Sequence, residues 1–561
     1  MADDPSTTTP GGADRPAAPP SRGLARAAGL VSLATSISRV LGLAREVVFA
    51  ALFGASAGPA ADAFTVAFRI PNLLRDLFAE GALSAAFVPT ITRTLARDGR
   101  EAARRLASAV FSGIILVAGG VALLGMFVSG PLARLFAPGF AAVPGKLELT
   151  AGLTAVLWPF LPLVALAAAA MGLLNACGRF FLPALAPALF NVGMIVCAVA
   201  LAPLMPGIGL PPIYAMAVGA LVGGAGQFLV QWPALRAESV SPRVVPRFWA
   251  HPGVREIARL MAPATVGLAA TQVNLLVTTV LASSLAQGAA TWLTYAFRVI
   301  YLPIGLFGVA VGTAAAPAAA RAAAAGDPRA LARTVADGLR LVAVLTLPAA
   351  AGLLALADPV VALLYERGAF LPADTAATAA ALRAYALGLT AYSAVKVVVP
   401  AFYALGVPHV PVQVSFAAVA LNIAASLALR GPLGHVGLAL AVALTATFNV
   451  AALLVGLRRR VGPIGGRRVA AGVGLALAAS VLMAAASVGI HRAALSGVDA
   501  LIGAAAPALA PWGRAAALLV AIGASAALYL GLCTVFRLDE AADLRRMAER
   551  LLRKVGVRRP G

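Results

Sequence analysis

Eight charged side chains stand in one strongly apolar stretch of the sequence, residues 36–92. They are Arg39, Arg45, Glu46, Asp62, Arg69, Arg75, Asp76 and Glu80. A charge at mid-membrane depth costs roughly 2.5 to 3.5 kcal/mol even on lenient insertion scales. If this stretch lies in a membrane, its charges must line a cavity inside a helix bundle rather than face lipid. Arginine is always charged and its planar fork matches a phosphate bidentately, so a cluster of arginines there is expected to bind an anion such as a diphosphate.

Two of these arginines lie deep in the first apolar span. Arg39 and Arg45 are six residues apart. At about 100° per residue they lie roughly 120° from eclipsed, so they flank one cavity without stacking on one stripe. Glu46 directly follows Arg45 and is predicted to neutralise an arginine from another helix.

Two further arginines lie beside predicted helix breaks. Arg75 follows Pro71 and Asn72 by about one turn, and Arg298 precedes Pro303. Proline removes a backbone hydrogen bond and favours a kink. Arg69 and Arg75, near a span end, have the alternative of snorkelling or of pairing structurally with a carboxylate of the same stretch. The predicted anion-binding residues are Arg39, Arg45, Arg75 and Arg298.

The composition is typical of a helical membrane protein. Of 561 residues, 61% are hydrophobic and 12% charged, against about 45–50% and 25% in a soluble domain. Runs of about 20 apolar residues recur along the chain, which favours an all-α polytopic fold over a β-barrel. The formal charge of +22 sits largely in loops between these runs. The positive-inside rule explains that pattern without a nucleic-acid partner.

The sequence contains no pattern of metal ligands or of catalytic residues. Its three cysteines lie in apolar stretches without paired spacing, its four histidines are scattered, and it has no HxxxH, CxxC or Walker-type motif. We therefore predict no metal, no cofactor and no enzymatic activity.

We predict about fourteen transmembrane spans, an even number that places both termini on one side. Numbered in chain order, they are 29–54, 60–91, 106–132, 150–175, 181–203, 212–235, 257–284, 290–320, 340–364, 376–405, 409–430, 433–457, 468–490 and 513–536. The arginine-rich loops are 93–105, 236–259, 321–340 and 458–468. Because basic loops stay on the cytoplasmic side, both termini are expected there, in a chain of the cytoplasmic (inner) membrane.

An internal repeat divides these spans into two halves. AFRIPNLLRDLF at 67–78 aligns with AFRVIYLPIGLF at 296–307 at an offset of 229, and ACGRFFLP at 176–183 matches ALGVPHVP at 404–411 at 228. Equivalent spans are six apart, which predicts two parallel six-helix lobes with a cleft for alternating access. The predicted division is a disordered tail at 1–28, lobes at 29–236 and 257–457, two appended helices at 468–536 and a basic tail at 537–561.

Five segments of the sequence resemble one family of bacterial transporters. They are SRVLGLARE (38–46), ADAFTVAFRIPNLLRDLFAEGALSAAFVPT (61–90), NACGRFFLPALAPALFNVG (175–193), LPIGLFGVAVGTAAAP (302–317) and YERGAF (365–370). They closely resemble the MurJ, or MviN, family of lipid II flippases, within the multidrug/oligosaccharidyl-lipid/polysaccharide exporter superfamily.

The resemblance implies fourteen helices in two lobes and a role in peptidoglycan synthesis. It implies that residues 468–536 form a hydrophobic groove for an undecaprenyl tail, while the lipid II head group crosses the central cavity to the outer leaflet. Membrane lipids are a further expected partner, as are cell-wall synthesis proteins. The cavity arginines of the family correspond to the four arginines named above. The family's acidic position at the start of the second span corresponds to Asp62. Together with the charge and helix-break arguments above, this predicts Glu46, Asp62, Asn72, Pro71 and Pro303 as supporting or gating residues.

The chain departs from the family pattern in its second lobe. Relatives often carry an acidic or amide residue three positions after the arginine of the eighth span, where this chain has Tyr301, and Phe297 precedes that arginine. For a sodium site, spans 7 to 12 offer only the neutral candidates Asn274, Asn422 and Ser426. Membrane potential is therefore the expected drive.

Two other functions fit parts of the sequence. A drug or cation antiporter of the same superfamily requires an acidic cavity, which a cluster of arginines does not provide. A non-transporting scaffold for cell-wall synthesis would depend on the two tails rather than on the arginines of the cavity.

Overall fold

The computed structural model describes residues 22–77, 83–502 and 509–538, and these residues form helices and connections without a strand. The helices are α1 Arg22–Phe53, α2 Ala60–Leu74, α3 Ser84–Phe127, α4 Ser129–Phe136, α5 Lys146–Leu157, α6 Phe160–Ala176, α7 Phe181–Leu201, α8 Tyr214–Leu229, α9 Trp232–Ala237, α10 Pro252–Ser283, α11 Ala289–Pro303, α12 Val309–Ala324, α13 Pro328–Ala355, α14 Ala357–Tyr365, α15 Pro372–Ala386, α16 Leu389–Ala404, α17 His409–Val461, α18 Gly466–Ile502 and α19 Ala510–Val535.

The first helix begins earlier than predicted. The disordered tail was expected to run to residue 28, whereas α1 begins at Arg22. The segment RGLARAA consists mostly of good helix formers, so the apolar span continues as helix toward its N-terminus. The remaining residues of the two predicted tails, 1–21 and 539–561, lie outside the described residues.

Glycines with positive φ divide the two longest helices. α17 covers 53 residues, about 80 Å at 1.5 Å per residue and more than twice the thickness of a bilayer core. Gly434 (φ 55°) breaks it at the start of predicted span 12, at the second residue inside the predicted boundary, and Gly99 (φ 79°) breaks α3 between predicted spans 2 and 3. The predicted tenth span, in contrast, consists of two helices, α15 and α16, bent by 42°.

The all-helical membrane architecture is confirmed. Within the described residues, nine helical segments are long and apolar enough to cross a membrane, and the bent α15–α16 pair makes a tenth. The full count of fourteen stays a prediction.

The order of helices repeats along the chain. α2 begins at residue 60 and α11 at residue 289, which differ by 229, and α6 and α16 begin at 160 and 389, which differ by the same number. Packing repeats as well, because α2 packs on α5 as α11 packs on α15, and α3 packs on α6 as α12 packs on α16. The repeat read from two short sequence matches therefore extends through most of the fold. We call α1–α9 the first repeat and α10–α17 the second.

The last two helices pack on the second repeat. α18 and α19 contact each other and α13, and the Tyr529 hydroxyl donates a hydrogen bond to the Val344 carbonyl oxygen at 2.7 Å. Large apolar side chains remain exposed on both helices, among them Leu475, Leu477, Val481, Leu482, Leu519, Val520 and Ile522. Side chains of this kind suit contact with lipid chains.

Candidate functional site

Glu46 holds arginines from both repeats. In α1, Arg45 Nη2 lies 2.5 Å from Glu46 Oε1, and Arg298 Nε of α11 lies 3.6 Å from the same oxygen. The predicted role of Glu46 as partner of an arginine on another helix fits this geometry. One carboxylate cannot neutralise two guanidinium groups, so the group of three keeps a positive charge. Arg298 is its most accessible member, with 53% of its side chain exposed.

Phenyl rings separate Arg45 from Arg75. The Arg45 guanidinium lies 5.6 Å from the centroid of Phe190, and the Arg75 guanidinium lies 6.0 Å from that of Phe160. These two centroids are 5.3 Å apart, and Phe68 packs on both rings. The two arginines therefore stand on adjacent rings, where cation–π attraction helps to hold them in place.

Arg75 contacts the carboxylate that follows it in sequence. Its Nη2 and Nε donate to Asp76 Oδ1 at 2.7 and 3.1 Å, and Asn72 Nδ2 donates to Asp76 Oδ2 at 3.4 Å. The alternative interpretation, in which Arg75 pairs structurally with a neighbouring carboxylate, fits this geometry.

A π-helical turn follows the predicted proline in each repeat. Residues 75–77 form one after Pro71, and Ile304–Gly308 forms the other directly after Pro303. The predicted discontinuities are therefore present, and such turns are frequent at functional sites. Arg69 and Arg298, equivalent residues of the two repeats, lie close enough to interact electrostatically.

Arg39 stands apart from these groups. Its side chain is exposed, and it makes no hydrogen bond or ion pair with any residue that the structure describes. The structure thus joins Arg45 to Arg298 through Glu46 and places Arg75 one aromatic layer away. It does not connect Arg39 to them.

Asp62 links the two repeats. From the start of α2, its oxygens accept hydrogen bonds from the backbone N–H of Gly288 at 2.8 Å, the backbone N–H of Thr291 at 3.1 Å and the Thr291 hydroxyl at 2.7 Å. Lys146 Nζ lies 2.9 Å from Asp62 Oδ2, and both side chains are almost fully buried. Free N–H groups and the helix dipole favour a carboxylate at a helix N-terminus. Asp62 therefore caps α11 of the opposite repeat.

Asp374 makes the reciprocal link. Fully buried at the start of α15, it accepts a hydrogen bond from the Ser56 backbone N–H of the first repeat at 3.1 Å and one from Trp292 Nε1 at 2.8 Å. Lys146 and Asp374 are 228 residues apart, so the repeat places opposite charges at equivalent positions. The sequence analysis missed both as site residues, although the weaker repeat match, with its offset of 228, relates them.

These links lie together at one end of the bundle. We define the junction as residues 51–62 and Lys146 of the first repeat with residues 284–292 and 368–374 of the second. Apart from helix ends, these residues lie in loops that follow odd-numbered predicted spans. The arginine-rich loops follow even-numbered predicted spans, which places them on the other side of the membrane. On this predicted topology, the junction lies at the end of the bundle opposite the arginine-rich loops.

Two glycines bring backbone against backbone at the junction. The Ala369 N–H donates to the Ala51 carbonyl oxygen at 2.8 Å. A Cβ at Gly368 (φ 59°) would lie 2.2 Å from that oxygen, and a Cβ at Gly54 (φ 63°) would lie 2.3 Å from the Ala369 oxygen. Positive φ and the close approach both require glycine. The YERGAF motif thus docks on the end of α1.

Replacing Gly368 by alanine is expected to separate the repeats at the junction, because the added Cβ collides with backbone that cannot move aside. The measurement is the rate at which a maleimide labels Ser56→Cys after the three native cysteines are replaced by serine. We expect several-fold faster labelling. Gly58→Ala is the matched control, since nothing lies within 4 Å of its added Cβ and its φ is not positive. Equal labelling rates in the two variants would contradict the prediction.

The neutral residues considered for an ion site lie in α10 and α17. Asn422 and Ser426 are fully buried, and the Thr445 hydroxyl donates to Asn422 Oδ1 at 3.5 Å. Asn274 Oδ1 and Ser426 Oγ are buried without a hydrogen-bond partner in the described part of the chain. The same part contains no group of three or more His, Cys, Asp or Glu that could hold a metal. Asn274, Asn422 and Ser426 offer amide and hydroxyl oxygens but no carboxylate.

Similarity to known proteins covers most of the chain. Residues 49–498 match the family described as "Lipid II flippase MurJ". The chain is 37% identical over 436 residues to the "Probable lipid II flippase MurJ" of Vibrio cholerae, covering 76% of this chain and 82% of that protein. It is 36% identical over 440 residues to the "Lipid II flippase MurJ" of Burkholderia cenocepacia, covering 78% and 84%.

Solved structures share the fold. A structure described as "Lipid II flippase MurJ, inward closed conformation" matches with a TM-score of 0.72 at 25% identity, covering 91% of this chain and 99% of that one. An inward-facing multidrug resistance MATE family transporter of the MOP superfamily matches with a TM-score of 0.63 at 15% identity, covering 76% and 96%. The second likeness concerns the fold alone.

Proposed function

The chain belongs to the lipid II flippase MurJ family, and we infer from this that it is a multi-pass inner-membrane protein that flips lipid II. Lipid II is the undecaprenyl-diphosphate-linked precursor of peptidoglycan, so the chain serves cell-wall biogenesis as a transporter rather than as an enzyme. We propose that the head group moves from the cytoplasmic to the outer leaflet by alternating access.

The observation that carries the mechanism is Glu46 shared between Arg45 and Arg298. The three groups come from both repeats, keep a positive charge, and include a half-exposed arginine. A diphosphate has more negative charge and more acceptor oxygens than one carboxylate, so it can replace Glu46 as partner of both arginines. Head-group binding is proposed to proceed by this exchange, with Arg39 and Arg75 as further cations along the path. A surplus of cations also disfavours a drug or cation substrate.

The junction is the proposed outer gate. It combines a buried ion pair within the first repeat with buried and partly buried hydrogen bonds between the repeats. On the predicted topology it lies opposite the loops that the positive-inside rule assigns, with both termini, to the cytoplasm. At the arginine-rich end, the exposed pair Arg93–Glu256 joins α3 to α10 at 2.8 Å. Exposed pairs contribute only about 0–1 kcal/mol. From this conformation, the two lobes (29–236 and 257–457) should therefore separate more easily at the cytoplasmic end than at the junction.

The undecaprenyl tail is proposed to stay outside the cavity, along residues 468–536. The exposed apolar side chains of α18 and α19 support this placement. Membrane lipids cover the remaining apolar surface, and the tails are the proposed contact for cell-wall synthesis proteins.

Replacing Arg298 by alanine tests the proposed function. We expect lipid II flipping in proteoliposomes to fall by at least about tenfold, because an accessible charge-assisted contact worth roughly 1.5–3 kcal/mol is lost. Arg298→Lys keeps the charge without the fork, so we expect an intermediate rate. The readout is the exposure of a labelled lipid II head group to an impermeant reagent.

Arg321→Ala is the matched control for Arg298, since it removes an exposed arginine from the end of α12, where none of the proposed site residues lies. Its flipping rate should equal that of the unaltered chain. Undiminished flipping by Arg298→Ala would overturn the proposed role of the arginines. If deletion of the tails alone abolished flipping, the scaffold function would gain support instead.

A further inference from the structure

The linker between the two repeats is fixed along α3. The Arg243 backbone N–H donates to Ser108 Oγ at 2.9 Å, and the Val245 backbone N–H donates to Ser112 Oγ at 2.8 Å. The Phe248 ring lies 3.1 Å from the point where a Cβ of Gly113 would stand. These contacts place the side chains of the linker, residues 238–251, in set positions beside the start of the third span.

A basic cavity of about 470 Å³ opens between α3 and this linker. It is lined by Arg104, Arg105, Ser108, Ala109, Arg243, Val245, Arg247, Phe248, Ala250 and His251. Glu101 pairs with Arg104 at 2.7 Å and lies 3.7 Å from Arg105. Arg243 and Arg247 form no ion pair with any residue in the described ranges. The cavity therefore presents uncompensated positive charge from both of its walls.

Histidine adds little to that charge. Burial and the positive charge of nearby Arg105 lower the pKa of His251. Its Nδ1 accepts a hydrogen bond from the Gly253 backbone N–H at 3.1 Å, which a neutral ring permits. At neutral pH the charge of the cavity thus comes from its four arginines, less the one negative charge of the Glu101 carboxylate.

An apolar groove of about 180 Å³ adjoins the basic cavity. It is lined by Phe111, Ser112, Ile115, Leu166, Phe228, Trp232, Pro242, Arg243 and Val244. Arg243 therefore borders both spaces, with cations on one side and aromatic and aliphatic side chains on the other. Trp232 and the half-exposed Trp249 fit the level of a membrane interface, where tryptophan is enriched.

We propose that an anionic phospholipid binds here, with its phosphate on Arg243 and Arg247 and one acyl chain in the apolar groove. The adjoining groove favours a lipid over a free phosphate, and the expected cytoplasmic position faces the leaflet side on which anionic lipids attract basic groups. The bound head group joins α3 to the linker between the repeats. Anionic lipid content thereby stiffens the connection about which the repeats move.

The test is native mass spectrometry of the purified full-length chain with dioleoyl phosphatidylglycerol and, separately, the zwitterionic phosphatidylethanolamine. We expect selective retention of phosphatidylglycerol. Removing both linker arginines in Arg243→Ala/Arg247→Ala should weaken its binding by about 30-fold, at about 1 kcal/mol for each basic residue near an anionic lipid. The matched control is Arg321→Ala/Arg329→Ala, which removes two exposed arginines beside the α12–α13 turn. Its binding should be unchanged.

Two further experiments distinguish binding of a lipid from binding of a simple anion. Filling the groove with Ile115→Trp should weaken phosphatidylglycerol binding while all four arginines remain. Inorganic phosphate at millimolar concentration should leave the melting temperature of the chain unchanged, whereas phosphatidylglycerol raises it. Equal phosphatidylglycerol binding by Arg243→Ala/Arg247→Ala and its control, or equal stabilisation by phosphate alone, would overturn the proposal. Neither readout depends on lipid II flipping, so the outcome is independent of the proposed transport function.

Discussion

Replacing Asp62 by asparagine is expected to open the junction and to destabilise the chain more than any other single change considered for this protein. The carboxylate accepts bonds from Gly288 and Thr291 of the opposite repeat and holds the buried Lys146 ammonium. Asparagine leaves that ammonium without its counter-charge, with the centroid of the Phe140 ring 4.1 Å from Lys146 Nζ. Breaking a buried pair by removing one partner typically costs about 3–5 kcal/mol.

The measurement is a double-mutant cycle with Lys146→Met. Methionine removes the orphaned charge and keeps an unbranched apolar chain in a buried site. The double variant Asp62→Asn/Lys146→Met should therefore melt at a higher temperature than Asp62→Asn alone, a strongly non-additive result. The rate of maleimide labelling at Ser56→Cys should rank the variants in the opposite sense to the melting temperature. Labelling should be faster in Asp62→Asn than in the double variant.

Additive losses in the cycle would show that Lys146 and Asp62 act independently. In that case the capping of α11 by Asp62 would account for the whole effect of Asp62→Asn. Slow labelling in every variant would contradict the assignment of the junction as a gate.

Much of the fold could be predicted from the sequence because its signals are local. Apolar runs define the helices, and AFRIPNLLRDLF and AFRVIYLPIGLF reveal the repeat that the helix starts of α2 and α11 then follow. Pro71 and Pro303 predicted a helix discontinuity in each repeat, and a π-helical turn follows each proline. The boundary at Arg22 and the bend between α15 and α16 were missed, because ordinary helix formers and small residues give little signal for where a helix starts or bends.

The site was only partly predictable, since its contacts join distant parts of the chain. Glu46 and Arg298 were identified from their charge in apolar surroundings, which is a local signal. In the sequence, Lys146 resembles an ordinary charged residue of a loop, and Asp374 lies in a short polar segment between two predicted spans. Their roles depend on contacts between residues far apart in the chain, Lys146 with Asp62 within the first repeat and Asp374 with Ser56 of the opposite repeat. The repeat relates Lys146 to Asp374 but does not reveal these partners. Arg39 has the same local signal as Arg45, yet the structure gives it no partner among the described residues.

Replacing Glu46 by glutamine is expected to tighten lipid II binding and to slow flipping. Glu46 competes with the substrate for Arg45 and Arg298, so its neutralisation leaves both arginines to the diphosphate. Charge-assisted contacts are worth roughly 1.5–3 kcal/mol, which corresponds to at least about tenfold tighter binding. Without the Glu46 carboxylate to displace the diphosphate from Arg45 and Arg298, lipid II is released more slowly. The flipping rate therefore falls.

Native mass spectrometry with lipid II measures the affinity, and the proteoliposome assay measures the rate. Asp76→Asn is the matched control, because it also removes a carboxylate from an arginine but one that contacts Arg75 within a single repeat. We expect Asp76→Asn to alter binding less than Glu46→Gln does. Melting temperatures of both variants show whether folding is retained.

The direction of the two changes distinguishes exchange from a structural role. If Glu46 only stabilises the packing of α1 on α11, glutamine lowers the melting temperature, binding and flipping together. If Glu46 and the diphosphate exchange on the same arginines, affinity and rate move in opposite directions, because a transporter must bind its substrate weakly enough to release it. The second pattern would support exchange on the shared carboxylate, and the first would contradict it.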